Sequence, residues 1–212
     1  MLFVPLWIRE VPVVRPFLAM VGQETAPVVI GTAVVMCLVR RVLDDRTFMK
    51  ASFLVARCQV HLADVDTPVP GIGQILGGTG IDFVFVDMEH SGFGISEIKQ
   101  LVTSLRAGNL PALVRPPSKN YHHIARTLDA GADGLLLPMV ASAEEARDIV
   151  QHANYPPRGH RGIALGIAHD GYRAVSPDVA LRSANRRIGI ATLIETVEGV
   201  RNVDEIAAVD GI

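Results

Sequence analysis

Three ionisable side chains stand together directly after an apolar run in the middle of the chain. The apolar run is Phe83–Val86, and Asp87, Glu89 and His90 follow it. A continuous apolar run of this length predicts a strand that is buried on both faces, as in a parallel sheet covered by helices. In α/β folds, ligands bind at the carboxyl ends of such strands. Two interpretations stay open at this point: a functional site, or an ordinary strand end with solvated charges.

Other predicted strands also end in polar residues. Arg115 follows a short strand at Ala112–Val114, and Glu195 follows a strand at Ile188–Ile194. A single arginine at such a position is more often a surface charge, but parallel strands bring their carboxyl ends to one face, where separate groups converge. Carboxylates without cysteines favour a hard divalent ion such as Mg²⁺ or Mn²⁺. Arg115 would bind a substrate carboxylate or a developing oxyanion.

The composition excludes several classes of protein. Apolar residues make up 49% of the 212 residues and aromatic residues only 5%, so the core must consist of Val, Ile, Leu and Ala, as in α/β proteins. A net charge of −2 argues against binding to nucleic acid through phosphate neutralisation. The two cysteines, Cys37 and Cys58, form neither a metal cage nor a secreted disulfide framework. We therefore expect a cytoplasmic protein.

Residues 1–50 form an atypical segment ahead of the domain predicted for residues 51–212. The uncharged run Pro27–Val39 is shorter than the roughly 20 residues of a bilayer span. Arg40 and Arg41 follow this run, whereas a secretory signal has its charges in front. A buried helix or strand is the favoured interpretation and a membrane anchor a weaker one. A third interpretation is that the segment is foreign to the domain.

From residue 51 onward, strands and helices alternate with short connections. The predicted strands are Phe53–Leu62, Phe83–Asp87, Ala112–Val114, Gly134–Pro138, Ile188–Ile194 and one beginning at Val209–Ile212. The predicted helices are Pro68–Gly77, Ser96–Arg106 with Ser96 as its cap, one opened by Asn120, Ser142–Ala153 with a capping box of Ser142 and Glu145, and Val200–Ala207. This order predicts a parallel α/β fold, most economically an incomplete (β/α)8 TIM barrel with about six of eight strands present.

Five motifs in this order resemble the HpcH/HpaI aldolase/citrate lyase family, within the phosphoenolpyruvate/pyruvate superfamily. The motifs are Phe83–His90, Val114–Pro116, Leu135–Val140, Tyr155–Gly162 and Leu193–Thr196, and the resemblance covers roughly residues 60–212. They are similar to the class II, metal-dependent pyruvate aldolases of this family. The Asp-Met-Glu-His form of the first motif is that of the pyruvate aldolases, so an acyl-CoA-cleaving enzyme of the citrate lyase type lacks support.

The resemblance implies a modified TIM barrel that assembles as a homohexamer with its last helix exchanged between neighbours. It implies reversible cleavage of a 4-hydroxy-2-oxo acid, such as a 2-dehydro-3-deoxy sugar acid or 4-hydroxy-2-oxoheptanedioate, to pyruvate and an aldehyde. The implied cofactor is Mg²⁺, Mn²⁺ or Co²⁺, and the only implied small-molecule partner is the 2-oxo acid. Neither nucleic acid nor membrane is expected as a partner. Lys99 and Lys119 lie on a helix face and in a loop, which agrees with metal-dependent instead of imine catalysis.

The resemblance also implies roles for individual residues. His90 matches the catalytic base, which works with a metal-bound water, and Asp87 matches the carboxylate that would orient His90. Arg115 matches the arginine beside the keto oxygen of pyruvate. Glu195 matches the first metal-ligating carboxylate. Base, cation and Arg115 together would remove the C4 hydroxyl proton and stabilise the enolate that forms as the C3–C4 bond breaks.

Two further residues, Glu89 and Asp129, are expected to bind substrate.

The sequence departs from the family pattern at two positions. The family's second metal ligand is an aspartate in a Gly-Pro-x-Asp turn after the next strand, and this sequence stops before it, at Val209–Ile212. Leu193 stands where family members often have glutamine. We therefore expect an aldolase that is truncated at its C-terminus. The alternative is an inactive aldolase fragment that only binds or co-assembles with intact subunits.

Overall fold

The computed structural model describes residues 71–79, 81 and 83–212, and within them the chain forms one parallel sheet. Its four strands lie in sequence order and are β1 Val84–Asp87, β2 Ala112–Arg115, β3 Gly134–Leu137 and β4 Gly189–Thr192. Each strand was predicted from its apolar run to within two residues. The predicted strand Phe53–Leu62 and the segment 1–50 lie outside the described residues.

Helices follow every strand, as the parallel pairing requires. They are α1 Ile72–Gly77, α2 Ile95–Ala107, α3 Tyr121–Asp129, α4 Ala143–Ala153, α5 Pro177–Arg187, α6 Val197–Arg201 and α7 Val203–Ala207, with a 3₁₀ turn at Ala168–Asp170. The alternation of parallel strand and helix is that of an incomplete (β/α)8 barrel, which confirms the predicted fold class. In the part of the chain just given, no helix combines the length and apolar character needed to cross a membrane.

Several local features differ from the predictions. The single helix predicted at Val200–Ala207 is two helices, α6 and α7, which meet at Asn202. Val209–Ile212 is a turn and does not begin a strand. Val209 and Ile212 are buried in the core, which explains why both residues are apolar. Helix α2 begins at Ile95 with Gly94 as its N-cap, and Ser96 lies inside its first turn. Helix α5 occupies a stretch without a predicted element, because its buried face consists only of small residues, Ala180 and Ala184.

The core is aliphatic and divides into two clusters along the sheet. The first joins β1 and β2 to α2, and its main side chains are Val84, Val86, Ile98, Leu101, Val102, Leu105 and Val114. The second joins β3 and β4 to α3, α4 and α7, and its main side chains are Ile124, Leu128, Leu135, Leu137, Ile149, Val150, Ile190 and Ile206. All four residues of β3 are buried, as expected for a central strand that has helices on one face and neighbours on both edges.

Helices α1 and α2 approach each other backbone to backbone. A Cβ atom at Gly73 would lie 1.8 Å from the carbonyl oxygen of Ser104, and one at Gly108 would lie 1.9 Å from the carbonyl oxygen of Gly73. The amide of Gly73 also donates a hydrogen bond to the Ser104 hydroxyl, at 3.1 Å. This contact has no room for any side chain, so glycine is required at both positions.

We predict that Gly73→Ala destabilises the fold. The new methyl group forces α1 away from α2, and we expect the free energy of unfolding to fall by roughly 1–3 kcal/mol or more. Urea unfolding followed by circular dichroism measures the change. Gly78→Ala is the matched control, because a Cβ there has its nearest neighbour at an ordinary 3.5 Å. Equal stability of the two variants would contradict the close packing of α1 on α2.

Candidate active site

A bidentate ion pair joins the carboxyl ends of β1 and β2. Asp87 and Arg115 are paired residues in the parallel register of these strands. The Nε of Arg115 donates to Oδ1 of Asp87 at 2.8 Å, and Nη2 donates to Oδ2 at 2.5 Å. Each side chain is only 13% exposed, so little water competes with these bonds. Such two-point contacts are the strongest and most directional ion pairs in proteins.

The turn after β1 wraps around the same carboxylate. The backbone amides of Glu89 and His90 donate to Oδ1 of Asp87 at 2.8 Å and 3.4 Å. Burial alone would raise the pKa of Asp87, but the hydrogen bonds from Arg115 and from these two amides lower the pKa below its usual value. Asp87 was expected to orient the His90 imidazole. The structure corrects this expectation, because the carboxylate binds the guanidinium of Arg115 and the main chain of His90, not its ring.

Arg115 retains hydrogen-bonding capacity for a ligand. Its Nη1 lies 3.2 Å from Oε2 of Glu89, and its guanidinium lies over the Phe85 ring with 5.7 Å to the ring centre. The hydrogen bond with Asp87 raises the pKa of Arg115 against the effect of burial, and the charges of Glu89 and Glu195 raise it further. A guanidinium has five N–H groups. Three are engaged here, which leaves one on each terminal nitrogen.

The imidazole of His90 is open to solvent. Its side chain is 68% exposed, and Nε2 lies 3.7 Å from Oε2 of Glu89, which is longer than a hydrogen bond. Glu89 therefore lies between His90 and Arg115 and faces both. The ring nitrogens of His90 stay available to a molecule that binds beside Arg115.

Glu195 joins the same cluster from the far side of the sheet. It follows β4, and its Oε2 accepts a hydrogen bond from the amide of Met139 at 2.9 Å. Met139 follows β3 and has a left-handed backbone with φ of 55°, which presents its amide to the carboxylate. The charge of Glu195 is close enough to raise the pKa of Arg115. The structure thus brings together Asp87, Glu89 and Arg115 with Glu195.

Lys119 and Glu145 support the turn at Met139, and the sequence did not predict these contacts. We call this pair of residues the buttress. The ammonium group of Lys119 donates to the Met139 carbonyl at 2.7 Å and to Oε1 of Glu145 at 2.8 Å. Oε2 of Glu145 accepts from the Ala141 amide at 2.8 Å. The capping box was half right: the Ser142 hydroxyl accepts from the Glu145 amide, but the Glu145 carboxylate does not return to Ser142.

Asp129 lies away from these residues. It is the last residue of α3, and a helix that follows a strand ends at the strands' amino-terminal side. Its Oδ1 accepts from Nη2 of the buried Arg161, at 2.5 Å. Asp129 was expected to bind substrate together with Arg115. In the described part of the chain Asp129 contacts Arg161 and not Arg115, so its role in substrate binding stays a prediction.

The cluster fits a divalent cation in charge and donor type. Asp87, Glu89, Glu195 and Arg115 sum to a charge of −2 when His90 is neutral. Glu89 and Glu195 each have one carboxylate oxygen that forms neither a hydrogen bond nor an ion pair in the described structure, and carboxylate oxygens are the ligands that hard cations prefer. No group of three His, Cys, Asp or Glu side chains with metal-site spacing occurs among residues 71–79, 81 and 83–212. The donor set described is therefore partial.

Curated proteins with similar sequences are aldolases. A hydroxypyruvate/pyruvate aldolase of Deinococcus radiodurans is 36% identical over 143 residues, which is 68% of this chain and 51% of that protein. A 4-hydroxy-2-oxo-heptane-1,7-dioate aldolase of Escherichia coli is 32% identical, over 66% of this chain and 53% of that protein. The chain thus spans about half the length of these curated relatives.

Solved structures and a family profile agree with this similarity. An HpcH/HpaI aldolase from Desulfitobacterium hafniense DCB-2 is 35% identical and has a TM-score of 0.66 over 71% of this chain and 57% of its own. Macrophomate synthase is 27% identical and has a TM-score of 0.64 over 82% of this chain and 58% of its own. The profile of the HpcH/HpaI aldolase/citrate lyase family matches residues 69–212. The chain belongs to the HpcH/HpaI aldolase/citrate lyase family.

Proposed function

We propose that the protein is a class II pyruvate aldolase, a carbon–carbon lyase that cleaves 4-hydroxy-2-oxo acids reversibly to pyruvate and an aldehyde. Family membership and the aldolase names of the relatives support an aldolase. The observation that carries the proposal is the guanidinium of Arg115, which Asp87 holds in one orientation while two N–H groups stay free beside Glu195 and His90. Such an arrangement suits an oxyanion that develops between an arginine and a cation.

Arg115 binds the 2-oxo acid end of the substrate. Its free N–H groups donate to the keto oxygen, and they bind more strongly as that oxygen gains charge in the enolate of pyruvate. Asp87 acts through Arg115 as a positioning residue, because both of its oxygens are already engaged. Glu89 limits the rotation of the same guanidinium through Nη1.

His90 acts as the general base. Its exposed imidazole can take the proton of the C4 hydroxyl group as the C3–C4 bond breaks, and it returns the proton in the direction of synthesis. The bonding electrons of C3–C4 pass into the enolate, the C4 carbon leaves as the aldehyde, and protonation of the enolate at C3 gives pyruvate. The hydrogen bond from the His90 amide to Asp87, which also binds Arg115, supports this role.

Glu195 would hold a divalent cation, Mg²⁺, Mn²⁺ or Co²⁺, with Glu89 as a second nearby carboxylate. Such a cation, when bound, supplies positive charge to the 2-oxo acid. The cluster needs that charge, because a net −2 would otherwise repel an anionic substrate. The Met139 amide positions Glu195, and the buttress of Lys119 and Glu145 positions Met139.

The names of the relatives give different compounds, and each of these compounds is a 2-oxo acid. The relatives include a 4-hydroxy-2-oxovalerate aldolase of Novosphingobium aromaticivorans, 38% identical over 149 residues, besides the hydroxypyruvate and heptanedioate enzymes. We therefore propose the 4-hydroxy-2-oxo acids as the substrate class. The homohexamer and the cytoplasmic location stay predictions from the family resemblance.

We predict that the chain releases pyruvate from 4-hydroxy-2-oxo acids when Mg²⁺, Mn²⁺ or Co²⁺ is added. His90→Ala should lower kcat roughly 10²- to 10⁴-fold, which is the usual contribution of a general base. Glu195→Gln should weaken Mn²⁺ binding at least about tenfold, measured directly by electron paramagnetic resonance. Glu198→Gln is the matched control on the neighbouring helix. No pyruvate release with any of the three ions would favour the inactive, co-assembling alternative.

Replacing Arg115 by lysine should lower kcat/KM roughly 10²- to 10³-fold, as the loss of an oxyanion donor does. Lysine keeps the charge but cannot make the two-point contact with Asp87. The exposed Arg147→Lys is the control for the same chemical change and should leave kcat/KM unchanged. Circular dichroism separates loss of activity from loss of fold. A fully active, folded Arg115→Lys enzyme would refute the role of the fixed guanidinium.

The buttress yields a separate prediction. Lys119→Met removes the bond to the Met139 carbonyl, so the turn that orients Glu195 loosens, and Mn²⁺ binding should weaken roughly tenfold. Lys119→Arg should restore most of the affinity, because a guanidinium can still reach a carbonyl and a carboxylate. Lys99→Met, on the exposed face of α2, is the control. Unchanged Mn²⁺ affinity in Lys119→Met would show that the buttress does not position the ligand.

A further inference from the structure

A small cavity lies at the amino-terminal side of the sheet, at the opposite end of the strands from the candidate active site. It has a volume of about 30 Å³. Its charged and polar walls come from Arg106 at the end of α2, Asp133 before β3, Arg161 and His169 in the connection after α4, and Arg187 at the end of α5. Apolar side chains complete the wall. Nothing proposed above uses this cavity.

Two side chains in the cavity wall are buried with a polar atom unpartnered. Arg161 is 2% exposed; its Nη2 binds Asp129 and its guanidinium lies over the Tyr155 ring, but its Nε has no hydrogen-bond partner in the described part of the chain. His169 is 8% exposed, and its Nδ1 likewise lacks a partner there. When the Tyr155 hydroxyl donates to Nε2, Nδ1 carries the proton and is a second free donor. Buried donors are normally satisfied, so these two indicate an acceptor that the chain does not supply.

One arginine of the cavity wall has no carboxylate partner among the described residues. Arg161 is balanced by Asp129, and Arg106 lies 3.5 Å from Asp133. Arg187 donates only to the carbonyl oxygen of His169, at 3.4 Å, and forms no ion pair with a described residue. Arg187 is therefore an arginine without a described carboxylate partner beside the two unpartnered donors, while the charge of Asp170 also acts on His169.

We propose that this cavity binds one small monovalent anion, the size of chloride, between Arg161 and Arg187. The anion pairs with Arg187 and accepts from the unpartnered donors. The volume suits two or three water-sized particles, at roughly 10–15 Å³ each, so a halide fits. Occupancy ties the connection that carries Arg161 and His169 to the end of α5. It stabilises the native chain by mass action, since the unfolded chain lacks the site.

Thermal unfolding at constant ionic strength tests the proposal, with sodium chloride replacing sodium gluconate stepwise. We expect a saturable rise of the midpoint by roughly 2–4 °C for the unchanged protein. Arg187→Gln should abolish the rise, and Arg186→Gln, an exposed neighbour on the same helix, should retain it. Both arginines are exposed, but Arg187→Gln also removes the bond to the His169 carbonyl, so the comparison uses the chloride-dependent change of the midpoint and not the midpoint itself.

A crystal soaked in bromide provides the second measurement. An anomalous peak in contact with Arg161 and Arg187, together with the chloride-dependent midpoint, supports the site. A bromide peak without any chloride response means an adventitious ion only and overturns the proposal. The same follows if the chloride response is absent in the unchanged protein, or if it is equal in Arg187→Gln and Arg186→Gln. None of these outcomes depends on aldolase activity.

Discussion

The ion pair between Asp87 and Arg115 couples the first two strands of the sheet to the chemistry at their ends. Both side chains are largely buried, so removing either one would leave an uncompensated charge in a poorly hydrated place. The pKa of Asp87 is lowered, which means that the pair stabilises the fold above the usual aspartate pKa. That contribution is lost only as the pH falls through the lowered pKa. The guanidinium thus keeps one orientation at neutral pH.

The two ends of the sheet have opposite electrostatic character. At the carboxyl end, carboxylates outnumber the single arginine, and two carboxylate oxygens stay without hydrogen bonds among the described residues. At the amino-terminal end, arginines outnumber their acidic partners around a small cavity. Asp129 belongs to the second end, where it neutralises Arg161. This separation lets one end attract a cation while charge at the other end supports the fold.

Much of this arrangement was predictable because parallel strands align their ends. The apolar runs located β1 to β4, and that topology alone brought Asp87, Arg115 and Glu195 to one face. The bonding partner of Asp87 was not predictable, since it depends on the register between strands. The contact of Lys119 with Met139 joins residues that are twenty positions apart. It also needs a left-handed backbone conformation at Met139, which no sequence pattern predicts. The contact of Asp129 with Arg161 was not predictable, because a motif gives order along the chain but not the end of the sheet.

The direct pairing of Asp87 with Arg115 limits where residues can be inserted into the chain or deleted from it. Side chains of a strand alternate between its two faces, so inserting or deleting one residue within β1 or β2 turns one partner away from the other. Neighbouring side chains can adjust to a substitution on these strands. They cannot compensate for a strand that is shifted by one residue. Among homologues, length variation should therefore collect in the connections after the helices and be absent from Val84–Asp87 and Ala112–Arg115.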